Sequence, residues 1–120
     1  MTPQNASGEG GGELRVLTLP LNGIYFDQIA RGEKLEEYRL VTDFWCKRLE
    51  GKSFASLVLT RGYPKGGGVE GVTRLTRQWR GYSLRVIQHP HFGKDEAPVF
   101  VIDVSIPLNA KEIAGGAIDI

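Results

Sequence analysis

The sequence predicts an α+β domain built on a small, strongly bent sheet or open barrel, and three observations predict it. The chain of 120 residues has room for one core and not for two ordinary domains. Its 41% hydrophobic and 24% charged residues are the balance of a globular chain, not of a collagen-like or wholly disordered one. Its periodicities run β-α-β-α-β-β-β, with the late strands in succession.

Residues 1–13 are Gly-rich and polar with nothing to anchor them, and read as a flexible tail. The ordered domain is expected over residues 14–106. Its first element is a short β-type run at 14–19. In the next stretch Asn22 can cap a helix, Ile24, Tyr25, Phe26, Ile29 and Ala30 form an apolar stripe, and Gly32 supplies the stop. An extended segment follows at 36–41. Thr42 caps a second short helix at 43–50 that Gly51 ends. Asp43 in its first turn and Lys47 and Arg48 in its last suit the helix dipole.

Residues 56–60 (SLVLT) form a strand. Residues 62–78, with Pro64, Gly66, Gly67, Gly68 and Gly71, read as a mobile loop. Residues 79–87 set Tyr82, Leu84 and Val86 against Ser83 and Arg85, the alternation of a half-buried strand. Residues 99–106 do the same, with Phe100, Ile102, Val104 and Ile106 on one side. Residues 107–120 have no clear period and form a C-terminal extension, draped over the core or disordered.

No stretch approaches the ~20 apolar residues that span a bilayer. The N-terminus lacks the apolar core of a signal peptide. A cytoplasmic location without a membrane partner is expected, with a monomer favoured. The single cysteine, Cys46, has no thiol to pair with and no neighbouring histidine in sequence, so a small buried thiol is expected rather than a nucleophile.

The formal net charge of +1 hides a strong asymmetry. Residues 47–85 carry nine Lys and Arg against two Glu, a net +7, which leaves −6 on the remainder. A polyanionic partner for the basic part is one reading. Neutralisation by acids nearby in space is the other.

The most informative stretch is Gly32-Glu33-Lys34-Leu35-Glu36-Glu37-Tyr38-Arg39. On an extended segment Glu37 and Arg39 share one face while Tyr38 points the other way, and Lys34 in the turn can reach toward them. Two cations can hold a phosphate, and the carboxylate can accept from the exocyclic amine of a base or take a proton. A surface ion-pair network is the alternative.

Gly32-x-Lys34-x-x-Glu37-x-Arg39 resembles the GxKxxExR signature of ASCH domains, members of the PUA-like superfamily. An apolar helix ends at the signature's glycine, and Trp45, Arg48 and Leu49 follow in a W-x-x-R-L segment. The resemblance covers roughly residues 14–106 and implies a stand-alone ASCH protein. Its fold would be a small PUA-like open β-barrel with two short helices flanking a cleft, which Lys34, Glu37 and Arg39 would line. ASCH domains are thought to bind RNA, so RNA or a nucleotide is the implied partner. Some ASCH proteins act on nucleic acids or nucleosides, which implies a hydrolase with Lys34 and Glu37 as catalytic residues as the alternative. The acetylcytidine amidohydrolase branch places a nucleophilic Thr where this chain has Glu37, and that departure counts against the same reaction. A ribonucleolytic branch uses a Lys, which Lys34 matches.

Outside the signature, Tyr63 beside Arg61 and Lys65 could stack a base while the cations hold phosphates; a ring covering the barrel end is the other reading. Arg74 and Arg77 follow the glycine-rich loop, which lacks the spacing of a P-loop. Tyr25 and Trp45 read as core or core-edge residues, and Trp79 as packing the barrel rim. His89-Pro90-His91 is a poor zinc site and reads as a turn, with a general-base role for either histidine left open. No metal or cofactor is expected. A third possibility is an adaptor whose basic face meets an acidic protein.

Overall fold

Leu17, Leu19 and Leu21 are buried and Val16 and Thr18 are exposed along the first strand, a two-residue period with one wet face. This strand, β1 (Val16–Leu21), belongs to a computed structural model that describes residues 15–108. It pairs in parallel with β3 (Ser56–Arg61), in register from Val16↔Ser56 to Leu21↔Arg61. Leu57, Val58, Leu59 and Thr60 are all buried, as befits the central strand of its sheet.

Parallel neighbours need a long crossover. It is made here by helix α1 (Gly23–Ala30), strand β2 (Glu36–Leu40) and helix α2 (Asp43–Leu49). The Asn22 side chain accepts from Ile24 N at 2.8 Å and starts α1, and Gly32 at φ +79° turns the chain out of it. The Thr42 hydroxyl accepts from Trp45 N at 3.3 Å and starts α2. Both helices lie where the capping residues predict.

The first sheet runs β1-β3-β4 and the second β2-β6-β5, where β4 is Arg74–Arg77, β5 is Tyr82–Ile87 and β6 is Ala97–Asp103. The fold is therefore α+β, with six strands in two three-stranded sheets and two helices. Among the described residues no strand pairing joins the two sheets. Phe26 and Ile29 of α1 and Leu49 of α2 close a shared core with Leu19, Leu57, Leu59, Phe100, Ile102 and Val104. No helix among the described residues is long and apolar enough to cross a membrane.

Two strands differ from expectation. The segment expected to be loop throughout 62–78 contains β4, which pairs antiparallel with β3. Only Leu75 and Thr76 of RLTR are buried, too little apolar pattern to show as a strand. The Glu70 carboxylate holds this strand by accepting from Thr76 N at 2.8 Å and Thr76 Oγ1 at 2.7 Å.

Leu84 and Val86, expected to be half-buried, are 64% and 60% exposed. Their strand is an edge that pairs only with β6, and β6 takes the burial instead, with Val99, Phe100, Val101 and Ile102 all inaccessible. Ordered pairing also continues past residue 106. Pro107 bridges Arg77, and Leu108 N donates to Thr76 O at 3.1 Å. The expected tail at 1–13 and the rest of the C-terminal extension, 109–120, lie outside the described residues.

Candidate nucleotide-binding cleft

Pairing β2 with β6 in the register Glu37↔Ile102 and Arg39↔Phe100 turns Glu37 and Arg39 to the same face as two core residues. Glu37 is consequently 6% exposed, a placement that a carboxylate tolerates only with partners. It has two. Arg39 Nη1 donates to Glu37 Oε2, and Lys34 Nζ stands 3.5 Å from Glu37 Oε1.

Each cation is fixed in turn. Arg39 also donates to Pro20 O at 3.0 Å and Tyr38 O at 2.9 Å, which ties β2 to the end of β1. Its guanidinium lies 5.3 Å from the centre of the Trp45 ring. Lys34 donates to Glu36 O, and its ammonium sits 4.5 Å over the Tyr38 ring and 5.5 Å over Tyr25.

The Tyr38 hydroxyl donates to Glu36 Oε1 at 3.0 Å, while Arg85 grips the Glu36 carboxylate from β5 at 3.0 and 3.2 Å. Tyr38, expected to point away from Glu37 and Arg39, nevertheless lines the same cavity, because its ring lies under the Lys34 ammonium that reaches Glu37. Burial, then the Glu36 hydrogen bond, pushes the Tyr38 phenol above its usual range. The Arg85 hydrogen bond holds Glu36 below the usual carboxylate range against an opposing effect of burial.

Lys34, Glu37, Tyr38 and Arg39 floor a cavity of about 410 Å³, within the size range of small-molecule sites. Tyr25 of α1, Phe44 and Trp45 of α2, Tyr63 after β3, and His89, His91 and Phe92 before β6 complete its walls. His89 and His91 approach the edge of Tyr25 with ring centres 5.8 Å away in each case. The turn that carries them is locked locally, because His89 Nδ1 accepts from His91 N at 3.1 Å. That bond leaves the proton of a neutral His89 on Nε2. The sequence marked this turn without showing that it reaches the cleft. Phe44 and Phe92 gave no signal, since only folding brings α2 and the turn before β6 to β2.

Of the eight residues expected to contact nucleic acid, Lys34, Glu37, Arg39 and Tyr63 line this cavity. Arg61, Lys65, Arg74 and Arg77 do not. Arg61 is held by the Asp27 carboxylate through two bonds of 3.1 Å, and Arg74 stands 3.4 Å from Glu70. Arg80 and Arg85 likewise pair with Asp103 and Glu36. Arg77 is half-buried with its Nε lacking a partner among the described residues, and burial lowers its pKa. Four of the nine bases of residues 47–85 are thus paired with acids in space.

Trp79 packs edge-on against Phe54 at 5.0 Å beside the core. Cys46 is half-buried, and burial together with Glu50 and Asp43 raises its thiol pKa. Among the described residues no group of three or more His, Cys, Asp or Glu side chains could hold a metal ion.

No family model, curated protein or solved structure matches the chain. The chemistry of the cleft therefore rests on its own geometry. Two cations and one carboxylate leave a net positive floor beneath rings that offer π faces, an arrangement suited to an anion attached to a flat heterocycle.

Proposed function

We propose that this chain is an ASCH-like domain of the PUA-like type that binds RNA or a nucleotide in the cleft above Lys34, Glu37 and Arg39. On this reading the two sheets form the expected open barrel, with α1 and α2 flanking the cleft. One observation carries the proposal: the three signature side chains converge, largely buried, at the floor of an aromatic-walled cavity. A dispersed surface network of the same residues would lack both the burial and the walls. Arg39 and Lys34 would hold phosphate, an aromatic wall would stack the base, and Glu37 would accept from an exocyclic amine.

The test is an NMR titration at low salt with nucleosides, nucleotides and short RNAs. Shifts are expected at Lys34, Tyr38 and Trp45, with binding weakened at least tenfold in Lys34→Ala and Arg39→Ala. A panel that produces no shifts at low salt overturns the reading.

Hydrolysis of RNA or a modified nucleoside is a second reading, favoured by His89 and His91 lining the same cleft as Lys34 and Glu37. Either imidazole or Glu37 would move the proton, and Lys34 would stabilise developing negative charge. It requires a product in the same titration that disappears in Lys34→Ala while the fold is retained.

A further inference from the structure

Phe44 and Tyr63 are the only aromatic residues among the large hydrophobic side chains exposed in the described chain, at 55% and 90%. Ordinary folding leaves such rings in water only singly and without pattern. Here both border one cleft, although they come from unrelated places, α2 and the turn after β3.

Phe44 has on its face a cation unpaired among the described residues, and Tyr63 has a lysine, Lys65, two residues along the chain. The Arg48 guanidinium lies 4.2 Å from the centre of Phe44, and Trp45 meets Phe44 edge-on at 5.2 Å. Neither Arg48 nor Lys65 forms an ion pair with a described residue, unlike Arg61, Arg74, Arg80 and Arg85 in the same basic segment. Lys47, Lys52 and Arg77 are likewise without an ion pair among the described residues, so what singles out Arg48 is its place on the face of an exposed ring.

From this coincidence we propose that the cleft's ligand is one nucleotide of a single-stranded polynucleotide, whose neighbours on either side stack on Phe44 and on Tyr63. The inference rests on the cleft reading above and deepens it, because a free mononucleotide would leave both outer rings idle. Each flanking base takes a π face, and the phosphates between the bases meet Arg48 and Lys65. A duplex is excluded by the same geometry, since its bases keep their faces against one another. Stacking on rings is sequence-tolerant, so discrimination among bases would fall to the floor of the cleft.

The experiment compares a 5′-monophosphate with three- and five-nucleotide single strands, as RNA and as DNA, and with a blunt duplex of the same sequence. Anisotropy or NMR supplies the affinities. The expected five-nucleotide strand binds about 100-fold tighter than the monophosphate, on the order of tenfold for each ring. Phe44→Leu and Tyr63→Leu each reduce that ratio about tenfold, whereas Phe44→Trp, which keeps a π face, preserves it. RNA and DNA strands that both show the length gain support the proposal, and any difference between them reports contacts to the 2′-hydroxyl. Equal affinity for monophosphate and strand, an equally tight duplex, or ratios indifferent to Phe44→Leu and Tyr63→Leu overturn the strand proposal and leave the cleft reading standing. Failure of every ligand to bind overturns both.

Discussion

Two positively charged regions of this molecule differ in how their charge is treated. In the cleft, Lys34 and Arg39 have side chains only 15% exposed and share one buried carboxylate. On the outer surface, Arg61, Arg74, Arg80 and Arg85 are more exposed, and each meets an acid of its own. The second region dominates a count of charges along the sequence, and the first dominates the chemistry. A surface pair in water is weak and screened by salt. Charges removed from water must be held by geometry, and the same geometry keeps them aimed at a ligand.

The largest effect is expected where that geometry depends on one group. Glu37→Ala leaves two half-buried cations facing each other without their carboxylate. Removing one member of a buried pair costs about 3 kcal/mol at the low end of the usual range, which suits an open cleft. Urea denaturation should show this as a fall in midpoint at unchanged slope. A loss below about 1 kcal/mol would mean that the cleft is as wet as the outer surface, and would erase the contrast between the two regions.

The next effect lies at the turn that delivers Lys34. Gly32 holds φ +79° in open space, so Gly32→Ala meets no clash and isolates the backbone cost. About 1–2 kcal/mol is expected for a left-handed alanine. Because Lys34 stands two residues further on, the variant should also weaken ligand binding, which the NMR titration can follow. Intact affinity would show that the turn stops α1 without positioning Lys34.

The contrast between the regions also explains what could be read in advance. Asn22, Gly32 and Thr42 announce their helices because capping acts within a few residues of sequence. The convergence of Lys34, Glu37 and Arg39 was legible for the same reason, since a turn followed by a strand places them without help from elsewhere. Strand β4 was hidden because its two buried residues stand between two arginines and depend on Glu70 and β3 for their place. Nor could the sequence show that Arg61 would be taken by Asp27, 34 residues away, or that His89 would reach Tyr25. Long-range pairing decides which cations stay free, and charge counting along the chain is blind to it.

A smaller effect separates the outer pairs by pH. Glu36 has a depressed folded-state pKa, caused first by Arg85, and Asp103 a depressed one caused first by Ser105. Each therefore contributes stability above the unfolded carboxylate value of about 4, and that contribution fades as pH falls through the lower folded value. Glu36→Gln should flatten the acid limb of the stability profile by less than about 1 kcal/mol, because the pair is more than a third exposed and screened. Stability measured from pH 7 down to pH 3 checks the sign: the variant and the parent should differ most at neutral pH and converge in acid. Divergence toward acid would place the contribution of Glu36 elsewhere than in its ionised form.

The smallest stability effect is expected at Asp27, and it offers the sharpest comparison. Asp27→Asn removes the carboxylate that occupies Arg61, whose guanidinium lies over Gly23 so closely that a Cβ there would meet it at 2.8 Å. Both partners are 40% or more exposed, so the denaturation midpoint should stay within error at physiological salt. Binding should respond instead. Arg61 lies two residues before Tyr63, and freeing it adds a cation beside the proposed strand path. Each phosphate neutralised on a single strand contributes about 0.7 to the slope of log affinity against log salt. The variant should therefore bind a five-nucleotide strand more tightly at low salt, with a slope steeper by at most that amount, and the gain should vanish near 1 M salt. An unchanged slope would mean that Arg61 is held away from the strand by its position over α1 and not by Asp27, and the difference between the regions would then be one of place rather than of pairing.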